Sequence, residues 1–481
     1  MKNSSSWRSA FWVGLVIGLV GVVAALMLAA CSTTPTAPPQ LDLPLGTSSD
    51  PSLERWWTAF NDTTLDRLVD EALAGNLDLR LAISRVDSAR AQVTEAQGDL
   101  YPRVNLGVDA SRGRISEVGP QAIPGIPFVF SDYRVGVNAS YEVDLWGKYH
   151  AANRAAQDDL LASQYARETV RTVVASQAAR VYFQLVAADA QLKLLQETLK
   201  TRTDTVSLQR DRYEGGIIGE YDLAQAEAER AAVASDVATT ERAIGELESA
   251  LAVLLGRSPR EVFTPQVSRE DVTSKLLEVP TLPEGLPSNL LERRPDIRSA
   301  EAQLAAASGR IDVARADYFP SVALTGSYGS ESVALHSLFT GPAAIWSIGT
   351  ALAQPLLNLK SIEANVQSKT AQRDQTVIGY RQTVQTAFKE THDALVANQT
   401  MRDALAAQTE RTAKLSHALE LADTRYRAGY SPYLEVLDAQ RQLLQARTLQ
   451  ILAARNVRLA VVDLAKAMGG GWEYKTPVAA Q

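Results

Sequence analysis

A short motif recurs in this chain at an interval of 213 residues, as Arg212-Tyr213-Glu214-Gly215-Gly216 and Arg425-Tyr426-Arg427-Ala428-Gly429. Each copy ends one long helical pattern and leads into another. Tyr101-Pro102 echoes Phe319-Pro320, and Leu255-Gly256 echoes Met468-Gly469 at the interval of the Arg-Tyr pair. Each half therefore predicts one order: helix, aromatic-Pro, strand, loop, strand, very long helix, tight turn, helix. The interval far exceeds a solenoid unit of ~20–50 residues, so the chain reads as two copies of a whole supersecondary hairpin.

The first 30 residues carry Lys2 and Arg8, no acid, and an apolar run from Ala10 to Ala30 that ends in Leu28-Ala29-Ala30-Cys31. The run could span a bilayer, which takes about 20 residues. A lone cysteine directly after Leu-Ala-Ala instead predicts a secretory signal over 1–30 with a lipobox. Cys31 is the only cysteine in the chain, which excludes an intrachain disulfide and a cysteine metal site. Its expected role is to carry covalent lipid. Residues 31–52, rich in Pro, Ser and Thr, predict an extended tether. Without the signal the balance is 46 Lys and Arg against 55 Asp and Glu, and no basic patch suggests nucleic acid. Beyond the signal no segment is apolar enough for a transmembrane helix, so any span must be made of strands.

Residues 103–111 alternate strictly, with Val104, Leu106, Val108 and Ala110 opposite Arg103, Asn105, Asp109 and Ser111. Residues 132–144 do the same, and weaker copies lie at about 321–330 and 343–354. Period-two alternation over this length fits a half-buried strand or a lipid-facing barrel strand of ~9–11 residues. A soluble sheet would need a separate apolar layer to cover it, and the chain offers none. Pro102, Pro320 and Pro355, with Gly147, stand where helix and strand patterns meet, because proline cannot continue a helix interior.

From Leu145 to Arg212, and again from Leu356 to Arg425, nearly seventy residues contain no proline. As helices these would reach roughly 100 Å, beyond what a globular core needs. Shorter helices are predicted at about 65–98, 220–255, 288–317 and 432–468. Polar residues are spread around all of them, which suits a wall with solvent on both sides and apolar seams only. The domain expectation is a first repeat over 53–256, a Pro-rich linker over 257–287, a second repeat over 288–469 and a tail over 470–481. The linker, Trp56-Trp57 and Trp472 are expected to form a small mixed belt.

"LLERRPDIRSAEAQLAAASGRIDVARADYFPSVALTGSYG", from Leu290 to Gly329, and Arg425-Tyr426-x-x-Gly429 followed by "YLEVLDAQRQLLQAR", resemble TolC-like outer-membrane factors in their NodT/OprM lipoprotein branch. The resemblance covers essentially the whole mature chain in order. It implies a homotrimer in which each subunit gives four strands to a shared twelve-stranded β-barrel and its helices to a periplasmic α-barrel. It further implies the exit duct of a tripartite efflux system in the outer membrane of a Gram-negative bacterium. Its partners would be a periplasmic adaptor, an inner-membrane pump and outer-membrane lipid, with no cofactor beyond N-acyl and S-diacylglycerol groups on Cys31.

The paired turns are the candidate periplasmic gate. Gly429 suits a left-handed helix stop, Ser431 a cap for the next helix, and Pro432 its first helical position. The first half uses Gly215, Gly216 and Gly219. Glu435 and Asp438 share one helical face, and the equivalent first-half positions are Asp222 and Gln225. By resemblance Arg425, Tyr426 and Asp438 match residues that hold the tip closed, with Asp222 and Glu435 nearby and Arg212 and Tyr213 as the first-half motif. Which acidic ring would be narrowest is left open by the residues. His150, His336, His392 and His417 lack metal-ligand spacing, and no nucleophile or phosphate-loop motif occurs, so the chain is expected not to be an enzyme. Two alternatives are the duct of a protein-secretion system and a pore-free periplasmic coiled-coil scaffold or adaptor.

Overall fold

The computed structural model describes residues 55–116, 118, 128–263 and 294–470. Cys31, the signal, the tether, Trp472 and the Pro-rich linker from residue 264 onward lie outside them. Eight α-helices are described: α1 Thr63–Gly75, α2 Leu77–Gly98, α3 Lys148–Glu214, α4 Glu220–Leu254, α5 Pro259–Phe263, α6 Pro295–Ala316, α7 Leu359–Arg427 and α8 Tyr433–Ala467. The four strands are β1 Arg103–Arg114, β2 Val129–Glu142, β3 Ser321–Ser332 and β4 Ala344–Ala353. The chain divides into two compact units. One holds Leu100–Ala155 and Ala307–Arg373, and the other holds the described parts of Gln40–Asp99, Ala156–Ala306 and Asp374–Gln481.

In the first unit the strands form an antiparallel sheet in the order β1-β2-β3-β4. The register puts Leu106 beside Val137, Val137 beside Tyr328 and Tyr328 beside Trp346, so one face is apolar across all four strands. Opposite it, Asn105 pairs with Asn138, Asn138 with Ser327 and Ser327 with Ser347. The apolar face is exposed: Leu106 is 72% accessible and Ile348 84%. A soluble sheet packed on its own core would not leave these side chains bare, because burial of apolar surface is what stabilises such a sheet.

Strand ends differ from the sequence expectation. β2 begins three residues earlier, at Val129, and stops at Glu142 rather than at residue 144. Asp144 leaves the alternation because its Oδ2 accepts the backbone N–H of His150 at 3.0 Å and faces His150 Nδ1, in the first turn of α3. Those hydrogen bonds outweigh burial and hold the Asp144 carboxyl below the usual carboxylate range. Gly147, at φ +71°, lets the chain turn between strand and helix. At the same corner Trp146 Nε1 donates to the carbonyl of Pro320 at 2.7 Å, and its ring stacks on Phe319. Pro102 and Pro320 directly precede β1 and β3, and Pro355 lies between β4 and α7.

The core belongs to the second unit. Trp56, Trp57, Leu65, Leu68, Tyr182 and Leu464 pack together there, drawing α1, α3 and α8 onto the 3-10 turn Trp56–Phe60. The helix expected at 65–98 is two helices. Asn76 interrupts it, its Oδ1 capping α2 by accepting from Asp78 N and Leu79 N while Nδ2 donates to the carbonyl of Leu254 at 2.9 Å. Gly75 permits that approach: a Cβ there would lie 2.3 Å from the Leu255 carbonyl oxygen. Arg294, also buried, binds Asp296 and Glu390 and donates to the carbonyl of Ala467 at the end of α8. Among the described residues no helix is long and apolar enough to cross a membrane.

Candidate functional site: the paired helix turns

Both long helices end in the same way. Ile217 N–H bonds to the carbonyl of Arg212 at 2.8 Å, and Tyr430 N–H to that of Arg425 at 2.9 Å, while Gly216 and Gly429 sit at φ +71° and +78°. This is the 6→1 closure of a left-handed C-terminal cap, with glycine avoiding the Cβ clash. It explains why the glycine recurs four residues after the arginine, since that position must be left-handed, whereas the accepting carbonyl is backbone and does not itself require arginine. Gly219 is extended and is the N-cap of α4. Pro432 is the N-cap of α8 rather than its first helical residue, and no side chain caps that helix. Ser431 was expected to do so. Its Oγ is instead buried without a hydrogen-bond partner among the described residues.

The first-half arginine reaches the second-half tyrosine. Arg212 Nη1 donates to Tyr426 Oη, and its guanidinium lies 5.9 Å from the ring centroid. Tyr426 packs on Tyr433 at 5.6 Å between centroids. Burial pushes the Tyr433 phenol above its ordinary range, opposed by the Arg202 guanidinium beside it. Arg425 Nη1 lies 3.8 Å from Glu435 Oε1, and Asp438 Oδ2 accepts from Gln442 at 2.6 Å. Within one chain, then, Arg425 faces Glu435 rather than Asp438. Asp222 lies in the first turn of α4 and Tyr213 is exposed at the end of α3. Acidic groups at these helix starts are favoured by the unpaired N–H groups there.

Above the turns the two hairpins are tied by charge. Arg441 of α8 binds Glu229 of α4, which holds that carboxyl below its usual range, and Arg202 of α3 donates to Gln440 of α8. These residues were not picked out from the sequence. A buried Arg or Gln in a helical stripe rich in polar residues resembles a solvated one until the partner helix is known.

Similarity to known proteins agrees with this architecture. The family described as "Outer membrane efflux protein" matches residues 68–257 and 286–470. The toluene efflux pump outer membrane protein TtgC of Pseudomonas putida is 34% identical over 474 residues, covering 95% of this chain and 96% of that protein. The cation efflux system protein CusC of Escherichia coli is 34% identical over 420 residues, covering 87% and 88%. The crystal structure of the Campylobacter jejuni CmeC outer membrane channel superposes with a TM-score of 0.83 at 29% identity, covering 91% of this chain and 95% of that one. A duplicated set of long helices with four strands, one greasy sheet face and a paired closure of helix ends is thus a fold shared with outer-membrane channels, and the chain belongs to the outer membrane efflux protein family.

Proposed function

We propose that this chain assembles as a homotrimer into the exit duct of a tripartite efflux system of the resistance-nodulation-division type and conducts its cargo passively. The observation that carries this is the four-stranded sheet, which has an exposed apolar face and ends at two open edges, β1 and β4. An edge strand in hydrocarbon leaves N–H and C=O groups unpaired at several kcal/mol each, so the sheet must close with other chains. Three copies give twelve strands, an even number with the polar face inward. Arg134, paired to Glu331 across β2 and β3 at 2.9 Å, would then line the lumen.

The driving energy comes from an inner-membrane pump reached through a periplasmic adaptor. Relatives named for toluene and for cation efflux support a cargo of small molecules or metal ions. Cys31 carries the lipid anchor at the inner leaflet of the outer membrane. The paired turns form the periplasmic gate: Arg425, Tyr426 and Arg212 hold it, and Asp222, Glu435 and Asp438 place acids around the opening. Mass measurement of the detergent-solubilised protein tests the assembly, with a trimer expected and a folded monomer contradicting it. Intact mass tests the anchor: acylated Cys31 as the first residue is expected, and residues 1–30 still attached without lipid would contradict it.

A further inference from the structure

The two outer strands of the sheet match each other in hydrogen-bonding phase. In an antiparallel pair each residue turns its N–H and C=O together toward one neighbour, and successive residues alternate. Ile115 N–H donates to the carbonyl of Phe128 at 2.8 Å, so odd-numbered residues of β1 face β2 and even-numbered ones face the open edge. Val143 N–H donates to the carbonyl of Val322 at 2.9 Å, so even-numbered residues of β3 face β2 and odd-numbered ones face β4. That leaves the even-numbered residues of β4 at the other open edge. Both edge sets, which include Leu106 and Arg112 in β1 and Trp346 and Leu352 in β4, lie on the apolar face of the sheet.

A second copy of this chain can therefore lay its β1 along β4 only with even residues opposite even ones, which also keeps the apolar face continuous. With Ala353 opposite Tyr101, Leu352 would meet Pro102, which has no N–H to give. With Ala353 opposite Gly107, Ala344 would pass beyond the end of β1 at Arg114. Two registers pair all ten residues of β4, with Ala353 opposite either Arg103 or Asn105. The drift of the strand ends decides between them, because tilted strands end at one membrane level only if each is staggered on the last. The pairing from Arg103 through Ser140 and Thr325 reaches Gly349, four residues short of the end of β4. The pairing from Ala344 through Ser330 and Val135 reaches Val108, six residues short of the end of β1. Three strand steps thus carry a stagger of four to six residues. The Asn105 register staggers a subunit by six residues over four steps, or 4.5 over three, inside that range. The Arg103 register gives four over four steps, or three over three, below it. Six residues at ~3.4 Å each, across four strands ~4.8 Å apart, is a tilt of about 45°, as membrane barrels have.

We propose that β4 of one subunit pairs with β1 of the next in this one register, Ala353 opposite the partner subunit's Asn105. Trp346 then meets the partner subunit's Arg112 on the lipid face, and Ser347 meets the partner subunit's Ser111 in the lumen. A guanidinium is costly on a lipid face except near its edge, and an indole ring attracts it there. The proposal deepens the trimer reading above and rests on it.

Paired cysteines read the register directly, because a disulfide needs Cα atoms about 4.4–6.8 Å apart and a slip of two residues exceeds that. Full-length protein carrying Ser111→Cys with Ser347→Cys, or Gly107→Cys with Ala351→Cys, is oxidised in outer-membrane vesicles and run on denaturing gels with and without reductant. A Cβ at Gly107 meets nothing closer than 3.7 Å, so the second pair leaves its strand undisturbed. Cys31 is the only native cysteine, and the single substitutions serve as blanks for it. Both pairs are expected to give reductant-sensitive dimers and trimers of chains, in about fivefold higher yield than Asp109→Cys with Ser347→Cys. Preferential linking of Asp109→Cys with Ser347→Cys would overturn the proposal, as would no linking by either expected pair in protein that still measures as a trimer. Those results leave the trimer reading intact, whereas a folded monomer by mass removes both.

Discussion

Single side chains set the local geometry in ways that measurements can isolate. Asn76 caps α2 and satisfies the Leu254 carbonyl at once. Asn76→Ala should therefore lower unfolding stability by about 1–2 kcal/mol and speed exchange of the Asp78 and Leu79 amides. Equal exchange rates would show that the cap contributes nothing. Asp144 gives a pH dependence with a definite sign. Its carboxyl titrates below the unfolded value because His150 and the helix N–H groups donate to it, in spite of burial. Its contribution is thus complete above the ordinary carboxylate range and is lost as pH falls through that range toward its own lower value. The His150 amide should lose protection over that window, and Asp144→Asn should abolish the dependence.

Among the elements, helices and strands were largely legible because their signals are covalent. Proline-free stretches of nearly seventy residues became helices of 67 and 69 residues, and strict alternation at Val104–Ala110 became β1. The break at Asn76 was missed, since Asn is tolerated within helices and only the neighbouring Gly75 hinted at it. The start of β2 was missed because Val129 and Phe130 follow a Gly- and Pro-containing loop. In the candidate site the Arg-Tyr-x-x-Gly turns could be read from residue type alone. The buried Arg202–Gln440 crossing could not, because nothing local marks which polar residue of a helix faces a neighbour. The sheet itself offers a test. Gly329 faces Gly136 across β2 and β3, and a Cβ at Gly329 would lie 2.3 Å from the Val135 carbonyl oxygen. Gly329→Val should separate these strands and reduce the heat-resistant trimer recovered from membranes, while the same substitution at Gly326, where the nearest atom is 3.9 Å from a Cβ, should be tolerated. Equal yields of the two variants would contradict the pairing.

On the proposed function, the whole molecule is one subunit of a passive trimeric duct closed at the paired turns. Crowded carboxylates at a narrow, partly desolvated opening attract cations and repel anions, and arginine pairing offsets part of their mutual repulsion. Removing Glu435 together with Asp438 should weaken cation preference and block by multivalent cations, which reversal potentials in a salt gradient would register. Single-channel recording of the purified protein in planar bilayers tests the central claim most directly. The expected result is a small, cation-preferring conductance blocked by multivalent cations, which rises when Arg425, Tyr426 or Asp438 is replaced by alanine. Unchanged conductance, selectivity and block in Arg425→Ala and Asp438→Ala would contradict it, leaving these as solvated turn residues and the closure elsewhere.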